Sequence, residues 1–544
     1  MARLRLANWL HASPTPTSTG SDCRKTNHKP APEPLQTTAP EKKHPPPQRF
    51  QIPEADTPSI ALPMSTMMNA PQAVTGMSSS KIVALAQKIS DETQKVDAYF
   101  HQQGLQTPGF DPDAPGDFPK MPEEISTSRR EIIHATRELH DLMIGPKESV
   151  RWMAWDFLNT QSLQLINHYG IANMVPLDGT ITIEELEAKT PLDSTTITRL
   201  LRHAMANHLF QEPTPGVVAH TAASKRLAMD DALQAWVGFN SEEVYPGSAR
   251  VIDALKEHPE ATSLTHAGFN VAYDTVGKEP MFVTLGKDPQ RAQRMALAMS
   301  SLTGGEGYEL SYLTEGCDLS EVDARGGTLV DLGGSHGFAC VAFGGKYRNM
   351  NFVVQDLPAT VASAPSPVCA DVQVAKRITF QAHDFFTEQS VKNADAFLFR
   401  WIIHNYSRPY AVQLLRNLIP ALKPGARIII NDYCISPPGV EKPWDERLMR
   451  SMDMVMLTLL NAQEREERDF IQLFEQADDG FVFKGITRPQ GCRMSIIEAV
   501  WKPDEVDQNT SQPDLAQEQR ACECEKTKSD LPQERSESKH DGSQ

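Results

Sequence analysis

The stretch TLVDLGGSHG, residues 328–337, is a short β-branched and apolar run that ends in a glycine-rich turn. Outward from it, four more runs have the same character: NFVVQDL (351–357), ITFQAHDFF (378–386), DAFLFRWII (395–403) and ARIIINDY (426–433). Short continuous apolar runs of this kind predict strands buried on both faces, as in parallel sheets. Helical patterns fall between them, around Ala339–Tyr347, Tyr410–Leu422 and Glu446–Leu460. Repeated β-α-β units predict an α/β, Rossmann-like, mostly parallel sheet. The last segment, GFVFKGITRPQGCRMSIIEAVW (480–501), predicts two antiparallel strands closing one edge.

Ligands in open α/β sheets sit at the carboxyl ends of the strands. Gly333 and Gly334 follow the first run, where glycine lets the backbone approach a nucleotide-like ligand closely. The spacing differs from the dinucleotide pattern GxGxxG, and a tight turn needs glycine in any case. Asp356 ends the next run, at a spacing where such folds place a carboxylate on ribose hydroxyls. Asp384 ends the third and precedes Phe385 and Phe386, which could flank a flat base. A carboxylate there could equally be a helix cap. Three strand ends that each carry a fitting residue are harder to obtain by chance than any one of them.

Toward the N-terminus, residues 229–315 read as helical and rich in Met and aromatics, suiting either an adaptable apolar acceptor pocket or ordinary core. Before that lies a helical and winged-helix unit, 77–228. In it, Thr182 and Glu185 form a predicted capping box, Asp193 caps a second helix, and LFQE and VVAHT flank a turn around Pro213–Gly216. Helices are also predicted near Ser128–Ile144 and over Val150–Tyr169. From Ser80 a helix carries Ile82, Leu85, Ile89, Val96 and Tyr99 up to Gly104, an apolar seam read as a dimer contact rather than packing within the chain. Residues 1–76 and 503–544 are polar, Pro/Ser/Thr-rich or charged, and predict disorder. Periodic structure begins beside Met77, which makes Met77 a candidate start. The first twenty residues bear a slight likeness to an organellar transit peptide.

The chain has 544 residues and a formal net charge of −17, which argues against a general nucleic-acid binder. On the second helix of the winged-helix unit only Arg199, Arg202 and His203 are cationic. Eight cysteines lie scattered, none in a zinc-type pair, so they predict reduced thiols in a cytoplasmic protein and no metal. No apolar run reaches the length needed to cross a bilayer, about 20 residues, so no membrane partner is expected.

VDLGGSHG, QDLP, HDFF, FLFRWIIHNY, LKPGARIIIND and the terminal hairpin together resemble the S-adenosylmethionine-dependent O-methyltransferases of the plant caffeic-acid type. GGSHG and DFLNTQSLQLINHYGI bring the chain nearest the fungal secondary-metabolite branch. The resemblance covers about residues 77–501. It implies a class I methyltransferase domain over 316–502 and an N-terminal dimerisation domain in a homodimer. It implies S-adenosylmethionine as co-substrate without metal, and a small hydroxylated aromatic, such as a polyketide phenol, as acceptor. By position it implies that Gly333 and Gly334 contact the methionine part of the donor, Asp356 its ribose, and Asp384 and Phe385 its adenine. Arg400 would lie near the donor, His404 would be the catalytic base, and Asp432 and Glu464 would buttress that histidine. Ser335 stands where glycine is usual, Asn405 replaces an aspartate after the histidine, and Arg408-Pro409 interrupts an acidic continuation. The same motifs would serve a donor-binding regulator that transfers nothing, and the helical unit a winged-helix DNA-binding regulator.

Overall fold

The computed structural model describes residues 80–503. The disorder expected of residues 1–76 and 504–544, the candidate start at Met77 and the transit-like segment all lie outside the described residues.

Ten strands occur among the described residues. β1 (Thr180–Thr182), β2 (Gln211–Thr214) and β3 (Val217–Ala219) make a small sheet in the order β1-β3-β2. β4 (Thr328–Leu332), β5 (Asn351–Asp356), β6 (Ile378–Ala382), β7 (Ala396–Arg400), β8 (Arg427–Asp432), β9 (Phe481–Thr487) and β10 (Ser495–Trp501) make the large one, in the order β6-β5-β4-β7-β8-β10-β9. The five runs expected as strands pair in parallel, and β10 pairs antiparallel with both β8 and β9. From β4 the chain builds outward to β5 and β6. It then returns to β7 and builds the other way, so the reversal of strand order falls between β4 and β7. A ligand crevice is expected at such a point, outside the carboxyl ends.

Burial on both faces explains the unbroken apolar runs. Val330, Leu332, Phe397, Phe399, Ile428 and Ile430 pack against the helices Arg408–Leu418 and Glu467–Ala477. Leu329, Val354, Ala396, Leu398 and Ile429 point the other way, toward Phe338–Lys346 and its neighbours. Residues i and i+1 of one strand thus serve different cores.

The N-terminal elements follow their local signals. Thr182 Oγ1 accepts from the Glu185 N–H at 3.1 Å while Glu185 Oε2 accepts from the Thr182 N–H at 2.8 Å, the reciprocal box the sequence predicts. Asp193 Oδ1 accepts from the Thr196 N–H and opens Ser194–Met205. The helix Lys81–Gln103 ends at Gly104 in the left-handed conformation.

Two expectations need correction. The seam of Lys81–Gln103, read as a dimer contact, is partly covered within the chain by Glu123–Ile144, with Leu85 and Val96 buried and Lys88 paired to Glu131, while Ile82 stays exposed. An apolar stripe records that something covers it, and cannot record whether the cover belongs to the same chain. The single helix expected over Val150–Tyr169 is two, Pro146–Met153 and Phe157–His168. Between them the Trp155 and Asp156 N–H groups donate back three residues, to Trp152 O and Met153 O, without glycine or proline marking the break.

Residues 235–298 share a core with Met456–Ala462. Phe239, Phe269, Met281 and Leu285 are buried there, and Met295, Met299 and Met452 are half-buried beside them. The Met- and aromatic-rich region thus lies against the helix Pro443–Leu460, which leads directly to Glu464.

Candidate active site

The turn after β4 is shaped by left-handed backbone at Gly333 (φ +69°), Ser335 (+51°) and Gly337 (+75°). The N–H groups of Gly333 and Gly334 both donate to Gln355 O, at 2.8 and 3.1 Å, tying the turn to β5. A Cβ at Gly333 would lie 2.5 Å from Ile402 Cδ1, and one at Gly334 would lie 2.6 Å from Asp331 Cγ. The glycines are thus required by close approach of the end of β7 and of a buried carboxylate. Ser335 adopts a conformation that favours glycine, which accounts for the glycine usual there, and its N–H donates to Asp356 Oδ2 at 2.9 Å.

Gly334→Ala should therefore cost about 1–3 kcal/mol of stability through overpacking against Asp331 and Val354. Denaturant unfolding reads the loss and calorimetry reads donor affinity. Unchanged values in both would refute the steric account of this glycine.

Asp356 is half-buried at the end of β5; its other oxygen accepts from the Leu357 N–H at 2.8 Å. Asp384 is exposed two residues beyond β6, and its Oδ1 accepts from the Phe386 N–H at 2.9 Å. No helix follows Asp384, so the helix-cap alternative is not realised; the carboxylate closes a short turn, and its exposure leaves it able to accept more. Phe385 lies in an aromatic group with Phe386 and Tyr406, ring centroids 5.4 and 5.8 Å away. Its Cε1 would be 3.5 Å from a Cβ on Gly333, so the glycine turn, Phe385 and Ile402 converge. Arg400 at the end of β7 donates to Asn431 Oδ1 (3.0 Å) and Tyr308 O (3.1 Å). Burial pulls its guanidinium down, against Asp331 and Asp432. Burial pushes Asp331 up to about 7, although the Cys340 thiol and Arg400 favour its charged form.

His404 sits on a single tight turn, Ile403–Asn405, just past β7. It is 6% exposed, and its Nδ1 lies 2.8 Å from Glu464 Oε1, a carboxylate whose side chain is fully buried. Nε2 is the ring nitrogen left to face an acceptor. Burial opposes charge on the ring, but Glu464 and Asp432 outweigh it, so its pKa stands above the ordinary histidine value. The expectation for Asp432 changes in kind. Its Oδ2 accepts from the His404 backbone N–H at 3.0 Å, so it anchors the turn and makes no hydrogen bond to the imidazole. Burial raises its pKa, with His404 and Glu464 following as the next influences, in opposite directions.

Three features escaped the sequence. Trp401 takes a left-handed backbone (φ +58°) and sets its ring 5.0 Å from that of His404. Tyr308 and Tyr433 share a hydroxyl–hydroxyl hydrogen bond beside Trp401, Met449, Met452 and Met494. Arg465, 1% exposed, donates to the carbonyls on either side of His404. Its position next to Glu464 was the only available signal.

His258, Glu260 and His266 offer ligand atoms within 4.8 Å of one another. The two rings stack at 3.8 Å and 7°, so their in-plane lone pairs run in parallel planes and do not converge on one point.

A family model described as an O-methyltransferase domain matches residues 263–482. Chlorophenol O-methyltransferase of Trichoderma longibrachiatum is 58% identical over 427 residues, covering 78% of this chain and 91% of that protein. The chain belongs to the O-methyltransferase family. O-methyltransferase gsfB of Penicillium aethiopicum is 36% identical, covering 78% of this chain and 99% of its own. The crystal structure of OxaC in complex with SAH and oxaline has the same fold, with a TM-score of 0.60 at 22% identity, over 78% of this chain and 100% of that one. As an S-adenosylmethionine-dependent O-methyltransferase, the chain has the class I fold that the resemblance implies, on the mostly parallel sheet that its strand runs predict. Its residues suit the donor. The glycine turn lets Ile402 and Phe385 close over the end of β4, a half-buried carboxylate stands at the end of β5, and an aromatic edge borders the turn.

Proposed function

We propose that this O-methyltransferase methylates the hydroxyl of a small phenolic metabolite, with His404 as the general base. The observation that carries the proposal is the buried His404–Glu464 pair at 2.8 Å, at the strand ends where the fold places its ligands. The name of the 58%-identical Trichoderma relative supports a phenolic acceptor.

S-adenosylmethionine supplies a methyl group on a sulfonium, already strongly electrophilic, so what remains for the protein is alignment and proton removal. Gly333, Gly334 and Arg400 would receive the amino-acid end of the donor, Asp356 the ribose and Asp384 with Phe385 the adenine. A phenol has a pKa near 10 and a free imidazole near 6.5, so neutral His404 can take the proton as transfer proceeds. Glu464 holds Nδ1–H, directs Nε2 outward and stabilises the imidazolium that forms. Asp432 fixes the backbone of the same turn. Trp401 stands beside that ring, and Met449 and Met452 share its apolar cluster, which suits an aromatic acceptor.

Transfer of isotope from methyl-labelled donor to a panel of phenols tests the proposal. Label should appear on oxygen and depend on His404. A protein that binds the donor tightly yet labels none of a broad phenolic panel would be the donor-binding regulator instead.

A second copy of this chain is the partner the surface supports. The helix Pro146–Met153 buries none of its residues, and Leu142, Met143, Trp152, Met153, Trp155 and Phe157 are all exposed. So much apolar surface on one short segment suits an interface. Sedimentation should show a dimer that W152E/W155E turns into monomer. A monomeric native chain would rule this out. No described helix is long and apolar enough to cross a membrane. The five cysteines of the described region are free thiols, which supports a reducing, cytoplasmic setting.

A further inference from the structure

Of the groups surrounding His404, Arg465 has no part in the chemistry so far described, yet it is one of the largest fully buried side chains of the molecule. Its backbone is pinned beside the end of β8, where the Ile435 N–H donates to Arg465 O at 2.9 Å and Cys434 forms a parallel bridge with it. From there the guanidinium reaches the turn that carries His404. Nη1 donates to Ile403 O at 2.9 Å and Nη2 to Tyr406 O at 2.5 Å, one residue before and two residues after the histidine. Nη1 also reaches Gln463 O at 3.4 Å, and Nε has no hydrogen-bond partner among the described residues, so the side chain is held by three carbonyls and by charge.

The charge around the imidazole is unusual. From β8 comes Asp432, and from the segment before Glu467–Ala477 comes Glu464; both are buried carboxylates, each with one oxygen lacking a hydrogen-bond partner among the described residues. Asp469 of that helix and Arg408 of Arg408–Leu418 pair with each other at 2.5 Å and largely cancel. Asp453 donates no charge to the ring directly; its Oδ1 accepts from the Glu464 N–H at 2.8 Å. Arg400, at the end of β7, also faces Asp432, whereas Arg465 faces both buried carboxylates and the imidazole between them. Removing one member of such a group leaves uncompensated buried charge, which a titratable neighbour relieves by binding a proton.

We infer that Arg465 is a positioning residue for His404, clamping the turn that carries the imidazole and balancing the two carboxylates that face it, so that the ring remains available in its neutral, proton-accepting form. The inference rests on the His404 base proposal for its catalytic consequence, though not for its effect on the ring's charge. Two roles of one side chain separate by substitution. The charge role passes to any cation, whereas the clamp needs two donors in a planar fork, which lysine lacks.

The experiment measures kcat/KM against pH for the native enzyme and for R465M, R465K, D432N and R465M/D432N, alongside the titration of the His404 imidazole by NMR, assigned by its absence in H404A. With Arg465 gone, the cluster binds an extra proton, so the acidic limb of R465M should move to higher pH by about one unit or more. R465K should return the limb to near its native position while kcat stays low, because the Ile403 and Tyr406 carbonyls are then incompletely held. D432N keeps Arg465 and removes a negative charge, so its limb should move to lower pH; this variant serves even if R465M does not fold. The double variant should bring the limb back toward the native position. If R465M and D432N leave the limb and the imidazole titration where they were, with activity falling only as stability falls, Arg465 is a structural residue and the inference is overturned. If H404A retains the native rate while the imidazole titration still shifts as described, the base proposal fails and the control of His404 by Arg465 stands.

Discussion

Replacing His404 with alanine should lower methyl transfer to a phenol by roughly 10²–10⁴-fold, the usual worth of a positioned general base, while leaving donor affinity unchanged. The two effects separate because the imidazole lies past the end of β7, paired to Glu464, whereas the glycine turn, Asp356 and Phe385 group around the end of β4. A pH dependence goes with it. On the proposed base role the neutral ring is the active form, and Glu464 and Asp432 raise its pKa above the ordinary value near 6.5. The native rate should therefore rise through an acidic limb that lies above that value, and the limb should be absent from the residual activity of the variant. Calorimetry with the donor and a rate–pH series decide the matter. A rate within a few-fold of native would mean that another group takes the proton or that the acceptor arrives already ionised.

Glu464→Gln should lower kcat on the order of 10²-fold and shift the acidic limb in the opposite direction from R465M. The carboxylate does two things for the ring: it accepts Nδ1–H at 2.8 Å, and its charge favours the imidazolium that forms as the proton is taken. An amide in its place keeps the shape and removes the charge. Burial then dominates, so the pKa of His404 falls and more of the ring is neutral at low pH. The limb moves down while the plateau falls, because a less basic imidazole, free to present either nitrogen, is a poorer base. The loss is smaller than that of deleting the ring, since Asp432 and Arg465 still hold its backbone turn. A plateau loss with an unmoved limb would show that Glu464 orients the ring without setting its charge.

Much of the site was legible because its residues fall at strand ends, and strand ends can be read from runs of apolar residues. Gly333, Asp356 and Asp384 stand at the ends of such runs, the resemblance places Arg400 and His404 at the end of the fourth, and the structure brings those runs side by side in parallel. Glu464 was reached only through the family resemblance, since no periodicity links it to a histidine 60 residues earlier. Asp432 meets His404 as expected, through the backbone of the residue and not its ring. Its contact is with the backbone N–H of His404, and the pattern of side chains says nothing about which backbone donors a turn leaves free.

The amino-acid sequence by itself determined the doubly wound sheet, its antiparallel edge, the capping box at Thr182 and which residues fall at the strand ends. Each follows from local composition: apolar runs that suit burial on both faces, glycine where backbone must approach closely, and short polar caps that satisfy the first N–H groups of a helix. Only the tertiary structure decided what covers the seam of Lys81–Gln103, how Trp401 turns toward His404, and that Arg465 bonds the carbonyls of the turn carrying His404. Those outcomes depend on pairs of elements distant in sequence meeting in one place, and on buried charges finding partners there. A side chain's own neighbours in the chain carry no record of either.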